Sequence, residues 1–308
     1  MGAPALAASN VWRVVMAGGR QMALNADDIF LNPALEARVR GQAWALLLLN
    51  AADPRMGSLF ATQQRWLMAH AAVAQFFRDV AVAGAGTGVL TARVLDLVEH
   101  HQIASRNTAA AFIKEMLKYG IVRHVAGSEG KRHRPVEPAP AALESLYQWH
   151  LLHLATLDGL DGGSRSAALA AGPEVVRRMQ PMIADGLLGS HMVREPEPTF
   201  KLFTWVNEGG VLMDRLIVGC EEGDASVDRI ATDVTSVSAL AQRLKLSRTQ
   251  LGRKLAEAES MGSLGWVGAR GKSRLWVSKG FRREYHKAQA VKLAIIDAAF
   301  EACFTTHR

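Results

Sequence analysis

Ser236–Ser278 reads SVSALAQRLKLSRTQLGRKLAEAESMGSLGWVGARGKSRLWVS. Apolar residues at Val237, Leu240, Ala241 and Leu244 mark a short helical run. Lys245 and Leu246 form a tight connection. Ser247 suits a helix N-cap, because its hydroxyl can accept from an otherwise orphaned N–H of the next first turn. A second helix is expected over Arg248–Met261, with Leu251, Leu255 and Ala258 on one face. Gly262 ends it where a left-handed C-cap belongs. Two short runs, Leu264–Val267 and Arg274–Val277, flank the basic tip GARGKS and read as a hairpin. Helix, turn, helix, basic hairpin is the order of a winged helix-turn-helix.

With Leu251 and Leu255 facing inward, the outer face of the second helix carries Arg248, Thr249, Gln250, Arg253 and Lys254. Arg and Gln there can reach base edges in a major groove, and Lys can reach phosphate. Gly252 would let that face approach a backbone closely. The tip cations Arg270, Lys272 and Arg274 suit phosphate or minor-groove contact. A charged helix face alone is usually just a solvated face; the combination of cap, face and basic tip is what points to nucleic acid. The segment resembles the winged helices of bacterial regulators of the MarR type, through Ser247-Arg248, Leu251, Arg253, Leu255, Gly262 and the hairpin. That resemblance implies DNA binding, and a small-molecule effector held between winged helix and dimerisation helices. Trp66/Phe76 and Phe203/Trp205 would line such a site. For these residues, and for Trp44 and Trp149, core packing is the preferred reading, since large aromatics at helical spacing are usually core.

The same pattern occurs earlier. Ser105 and Ser247 lie 142 residues apart, as do Arg106 and Arg248, and Gly120 and Gly262. Pro33 and Pro173 lie 140 apart, and Trp66 and Trp205 lie 139 apart. The expected fold is therefore mainly α with small β-wings: two tandem winged helix-turn-helix domains, repeated at about 140 residues, with extra flanking helices. Residues 1–24 form an N-terminal arm, in which Val11–Met16 is a strand or a helical turn. Repeat one spans 25–157, with its winged core at about 90–136. A Gly- and Asp-rich linker occupies 158–166. Repeat two spans 167–308, with its winged core at about 230–278 and a C-terminal helix. Each repeat has a front helix (Pro33–Asn50; Pro173–Leu188), a long helix (Thr62–Val82; Thr199–Val218), the winged core and a closing helix (Ala141–Leu157; Gly280–Phe304).

The first repeat offers Arg106, Asn107 and Thr108 for bases and Lys114 for phosphate. Its wing carries Lys131, Arg132, His133 and Arg134. The second repeat is expected to read more sequence and the first to supply more phosphate affinity.

The net charge of +7 over 308 residues favours a polyanionic partner, with double-stranded DNA first and an anionic membrane surface second. No run of 18 apolar residues suggests a membrane span, and the N-terminal stretch lacks the basic region of a signal peptide. Position 6 is Leu, against myristoylation. Cys220 and Cys303 read as buried thiols of a reducing compartment, and the chain reads as cytoplasmic and nucleoid-associated. The glycine-rich loop Gly84–Gly88 lacks the Lys of a phosphate cradle and reads as a connector; its counterpart, Glu221–Ser226, is acidic. His100-His101 and His150/His153 lack accompanying Cys or carboxylates, so no metal is expected. No catalytic motif stands out and no cofactor is indicated.

The expected function is sequence-specific double-stranded DNA binding by a transcriptional regulator acting as a single-chain pseudo-dimer. A homodimer of chains would span four half-sites. The alternatives are a replication initiator or nucleoid-associated protein, and a winged-helix protein-interaction scaffold.

Overall fold

The computed structural model describes residues 22–53, 56–57, 60–130, 133–204, 208–223 and 226–305. The helices begin where capping side chains stand. Asn25 accepts from the Asp28 N–H and opens α1 (Ala26–Leu31). After the Asn32-Pro33 turn, α2 runs over Leu35–Ala52. Thr62 caps α3 (Gln63–Ala83). Then come α4 (Thr91–His100), α5 (Arg106–Lys118), β1 (Val122–His124), β2 (Val136–Pro138) and α6 (Pro140–Asp161). The second half follows with α7 (Arg165–Ala171), a 3-10 turn at Pro173–Val175, α8 (Val176–Gly189), α9 (His191–Arg194), α10 (Pro198–Thr204) and α11 (Gly209–Val218). It continues with β3 (Arg229–Ala231), α12 (Val237–Arg243), α13 (Arg248–Ser260), β4 (Leu264–Trp266), β5 (Leu275–Ser278) and α14 (Lys279–Thr305). Among the described residues the chain is mainly helical with two small antiparallel sheets, and no helix is long and apolar enough to cross a membrane.

Both sheets have one plan. In the second, β5 lies between β3 and β4, with Ile230 opposite Val277 and Leu264 opposite Val277. In the first, β2 pairs with β1, and Val89 bridges to Val136 on the other side. Gly88 permits that bridge: a Cβ there would stand 2.5 Å from the Val125 side chain and 2.8 Å from the Val136 carbonyl.

The backbone preceding each sheet also recurs. Ser105 accepts from the Thr108 N–H as Ser247 does from the Gln250 N–H. Gly120 and Gly262 close their helices at φ 71° and 70°. Ile121 N–H donates to the Met116 carbonyl at 3.0 Å, and Ser263 N–H to the Ala258 carbonyl at 3.0 Å. Gln102 and Lys245 both end the preceding helix with positive φ, 52° and 54°. The turn that follows contains Ile103 and Ala104 in the first unit and only Leu246 in the second.

Several expected boundaries shift. The front helix starts at Leu35, not Pro33, because the Asn32 side chain and backbone first close a turn onto Ala34 and Leu35. Its counterpart is a 3-10 turn leading into α8. The 158–166 linker is largely helical: α6 runs to Asp161, Gly162 takes the left-handed C-cap, and α7 starts at Arg165. The Asp158 carboxylate holds that corner by accepting from the backbone N–H groups of Arg165 and Ser166 at 2.7 and 2.9 Å. The long helix expected over Thr199–Val218 is broken into α10 and α11. Glu208 has φ 59°, and a Cβ on Gly209 would meet the Phe203 carbonyl oxygen at 1.7 Å. Only glycine lets α11 start that close to α10. The arm through residue 21, including Val11–Met16, lies outside the described residues, as does Trp205.

Packing crosses between the halves. The principal neighbour of α2 is α11, and that of α3 is α8, so each front helix lies on the long segment of the other half. The short helices are exchanged likewise: α1 packs on α14 and α7 on α6. The closing helices α6 and α14 touch each other, and each also packs on its own front helix, α2 or α8. Arg40 on α2 donates to the Val218 and Cys220 carbonyls at 3.0 and 2.6 Å, satisfying the C-terminal end of α11. One hydrophobic cluster runs from Ile29 and Val39 through Met179, Ile183 and Phe203 to Leu293 and Ile296. Full burial of each such side chain contributes about 1.5–3 kcal/mol, so much of the core exists only when both halves are present.

A buried ion cluster stands at the same seam. Arg165 is 3% exposed and donates to Asp297, itself 0% exposed, at 2.6 Å. Its other nitrogens reach Asp161 at 2.8 Å. Asp297 also accepts from the Leu24 N–H at 2.8 Å, as Asp158 does from the Arg165 N–H.

Candidate nucleic-acid interface

α13 is placed by its cap and its inward face. Leu251, Leu255 and Ala258 are buried, which turns Arg248, Thr249, Gln250 and Arg253 to solvent. Arg248 and Arg253 make no ion pair among the described residues, so both guanidinium groups keep their donors. Lys254 is half-buried and spans to Glu257 at 2.9 Å. Gly252 has nothing within 4 Å of a hypothetical Cβ, so the fold itself does not require glycine there.

The β4–β5 tip is ordered by local bonds. Gly268 N–H donates to Ser273 Oγ at 2.9 Å, Ser273 Oγ donates to the Ala269 carbonyl at 3.0 Å, and Gly271 has φ 70°. Of its three cations, only Lys272 is exposed without an ion pair among the described residues. Arg270 folds back towards α13, reaching Glu259 and the Gly252 carbonyl at 3.5 Å. Arg274 turns along the sheet, donating to the Thr232 carbonyl at 3.2 Å and pairing with Glu221. Arg274 thus ties β5 to the loop before β3.

The first unit presents the same helix differently. Ala109, Phe112, Ile113 and Met116 are buried and Asn107 and Lys114 are exposed. Arg106 is held by two carboxylates of α4, Asp96 at 2.6 Å and Glu99 at 3.3 Å. The bond to Asp96 raises its pKa further above the working range, so the guanidinium stays charged and clasped. The Thr108 hydroxyl lies 2.9 Å from Ser105 Oγ, within the cap. Across its hairpin Arg123 pairs with Glu137 at 2.9 Å. His133 and Arg134 are exposed; Lys131 and Arg132 lie outside the described residues.

The interior holds a cavity at Trp66 and Phe76, one of the two aromatic pairs weighed above as a small-molecule site. Trp66 and Phe76 on α3, Trp149 on α6 and Lys292 on α14 line this cavity of about 640 Å³. Trp66, Phe76 and Trp149 pack against the hydrophobic core as expected and also line the cavity, whereas Trp44 on α2 is 55% exposed. Beside the cavity lie three buried histidines, His70, His150 and His153. Those of α6 are anchored by their backbone: Nδ1 of His150 and of His153 bonds to the Leu146 and Trp149 carbonyls at 2.7 Å. His70 Nδ1 meets the Gln180 side-chain amide at 2.9 Å, and its ring lies 4.6 Å from Trp66. Burial pushes His70 down to about 3 and His150 to about 4, and holds His153 well below the usual range. These rings are neutral packing groups at pH 7. Among the described residues no three His, Cys, Asp or Glu side chains are grouped to hold a metal, and Cys220 and Cys303 are buried free thiols. Apolar flanks gave His70 no motif; only its place in the otherwise apolar run of α3 marks it.

No family model, curated protein or solved structure shows significant similarity to the chain.

Proposed function

We propose that the chain is a double-stranded DNA-binding protein, most simply a transcriptional regulator, built as a single-chain pseudo-dimer of two winged helix-turn-helix units. The observation that carries this reading is the outer face of α13. Arg248, Gln250 and Arg253 stand exposed together beside a basic hairpin tip, and neither arginine is neutralised by a neighbouring carboxylate. Recurrent caps, positive-φ turns and sheet plan support a duplicated unit, and the exchanged helices support its pseudo-twofold arrangement. The net charge of +7 favours the same partner.

In this reading α13 enters a major groove, with Arg248, Gln250 and Arg253 at base edges and Lys272 at phosphate. The first unit docks chiefly through Asn107, Lys114 and its hairpin, because Arg106 is engaged by Asp96 and Glu99. Selection of bound duplexes from a random library, at two salt concentrations, tests the reading. An enriched motif with one strong half and one weak half, and affinity falling with salt, is the expected outcome. Salt-dependent binding with no motif would replace the regulator with an architectural protein. No binding at either salt would end the DNA reading.

A further inference from the structure

The interior cavity has one cationic end. Lys292 lines it from α14, two turns after Tyr285, and among the described residues makes neither an ion pair nor a hydrogen bond. Asp214 supports the Lys292 charge only from beyond ion-pair distance, its carboxylate accepting instead from the Tyr285 hydroxyl at 2.5 Å, and burial lowers the Lys292 ammonium to about 8. The Lys292 charge itself helps depress His70 and His153. Gln180, 0% exposed, lines the same cavity, with its side-chain amide against His70 at 2.9 Å. The remaining walls are largely apolar, among them Val73, Phe76, Met116 and Val136. The exposed carboxylates at the margin, Asp53 and Glu144, disfavour a polyanion.

We propose that this cavity binds an amphipathic monocarboxylate, its carboxylate paired with Lys292 Nζ and its apolar body lying along Trp66, Val73 and Phe76. An ammonium inside an apolar wall is costly without a counter-ion, so a single anion is the complement that removes the penalty. The volume of about 640 Å³ is that of a small-molecule site. Lining residues come from α3 and α6 of one half and from α8, α11 and α14 of the other, so the ligand would touch both halves, and none comes from α13 or its hairpin. This inference stands apart from DNA binding.

Isothermal titration calorimetry of the full chain with octanoate and with 1-octanol tests it. Octanoate is expected to bind at least about tenfold tighter than octanol, as a charge-assisted hydrogen bond requires. Lys292→Met is expected to remove that preference while leaving octanol within about twofold, and Lys292→Arg to retain it. Absence of binding, equal affinity of the two probes for the wild-type chain, or a preference that survives Lys292→Met would overturn the proposal. The wild-type comparison decides even where a variant fails to fold.

Discussion

The two helix–helix–hairpin units share a backbone and differ in what their cations are doing. Ser105 and Ser247, Gly120 and Gly262, and Gln102 and Lys245 impose the same caps and turns. Yet Arg106 is clasped by Asp96 and Glu99, whereas Arg248, at the matching position, is unpaired among the described residues. A recurring backbone therefore does not carry the same exposed charge. Backbone geometry depends on a few capping and glycine positions, while availability for a ligand depends on whether acids of the preceding helix reach the cation. The interiors differ in the same manner. His150 and His153 on α6 stand 139 residues before Gln289 and Lys292 on α14. One closing helix presents imidazoles to the seam, the other an amide and an ammonium.

That interior contrast predicts the largest effect. His70 and His150, depressed to about 3 and about 4 from an ordinary 6.5, favour the neutral form in the folded chain. Their contribution is intact above about 6.5 and is lost as pH falls towards 4 and then 3, because the unfolded chain binds protons that the folded chain refuses. Asp214, raised from 3.8 to about 6, works oppositely and returns part of the loss as pH falls through 6. With roughly 1.4 kcal/mol for each tenfold change in proton affinity between folded and unfolded chain, these three groups together lose on the order of 4 kcal/mol between pH 7 and 4, and His153 and His286, also depressed by burial, add to the loss. Urea unfolding across that range measures it. His150→Gln, which installs the residue found 139 positions later on α14, should flatten the curve by about 3 kcal/mol. An unchanged slope would show that His150 is not the proton acceptor.

Next comes the seam itself. Arg165→Ala leaves the 0% exposed Asp297 without its cation and should cost about 3–5 kcal/mol. Glu137→Ala, which breaks the more exposed Arg123 pair, should cost no more than about 1 kcal/mol. Equal midpoints in urea for the two variants would mean that the Arg165 cluster does not hold the halves together.

Local signals made the helix–turn–helix stretches legible. Ser247, Leu251, Leu255 and Gly262 stand in α13 and its C-cap where spacing put them, and Thr62 caps α3. What the sequence left hidden depends on contacts far along the chain. Nothing in the local pattern says that α2 packs on α11 or α3 on α8. The break before Gly209 follows from the proximity of the Phe203 carbonyl, which no helical period announces. Glycine and aspartate in residues 158–166 suggest a loose linker, but Asp158 uses the corner to start α7. At the candidate interface the inward and outward faces of α13 were readable from spacing. The latch on Arg106 was not, because Asp96 and Glu99 belong to another helix, and the inward turn of Arg274 needs Glu221 and Thr232 from outside the hairpin.

If the outer faces are read by DNA as proposed, the two arginines should separate. Arg253→Ala should weaken binding to the selected duplex by about 1–3 kcal/mol and relax the preference at one position. Arg106→Ala should cost less than about 1 kcal/mol, since its guanidinium is already bound to Asp96 and Glu99. Competition binding against single-base variants of the duplex distinguishes these outcomes. Equal losses, spread evenly over all sequences, would reduce both residues to phosphate contacts.

The smallest effect tests the latch directly. Asp96→Asn together with Glu99→Gln removes both charges that hold Arg106 while keeping side-chain shape. The pairs are exposed, so stability should change by less than about 1 kcal/mol. Arg106 is then free to reach outward, as Arg248 is. Affinity for the selected duplex should rise a few-fold, partly because two negative charges leave a surface facing phosphate. That electrostatic part would appear for any sequence and would persist in an Arg106→Ala background. The part due to the released guanidinium would vanish in that background and would sharpen the weak half of the motif. A gain that is wholly independent of Arg106 would show that Asp96 and Glu99 act only through their charge, and that the first unit's reading face is limited by something other than its latch.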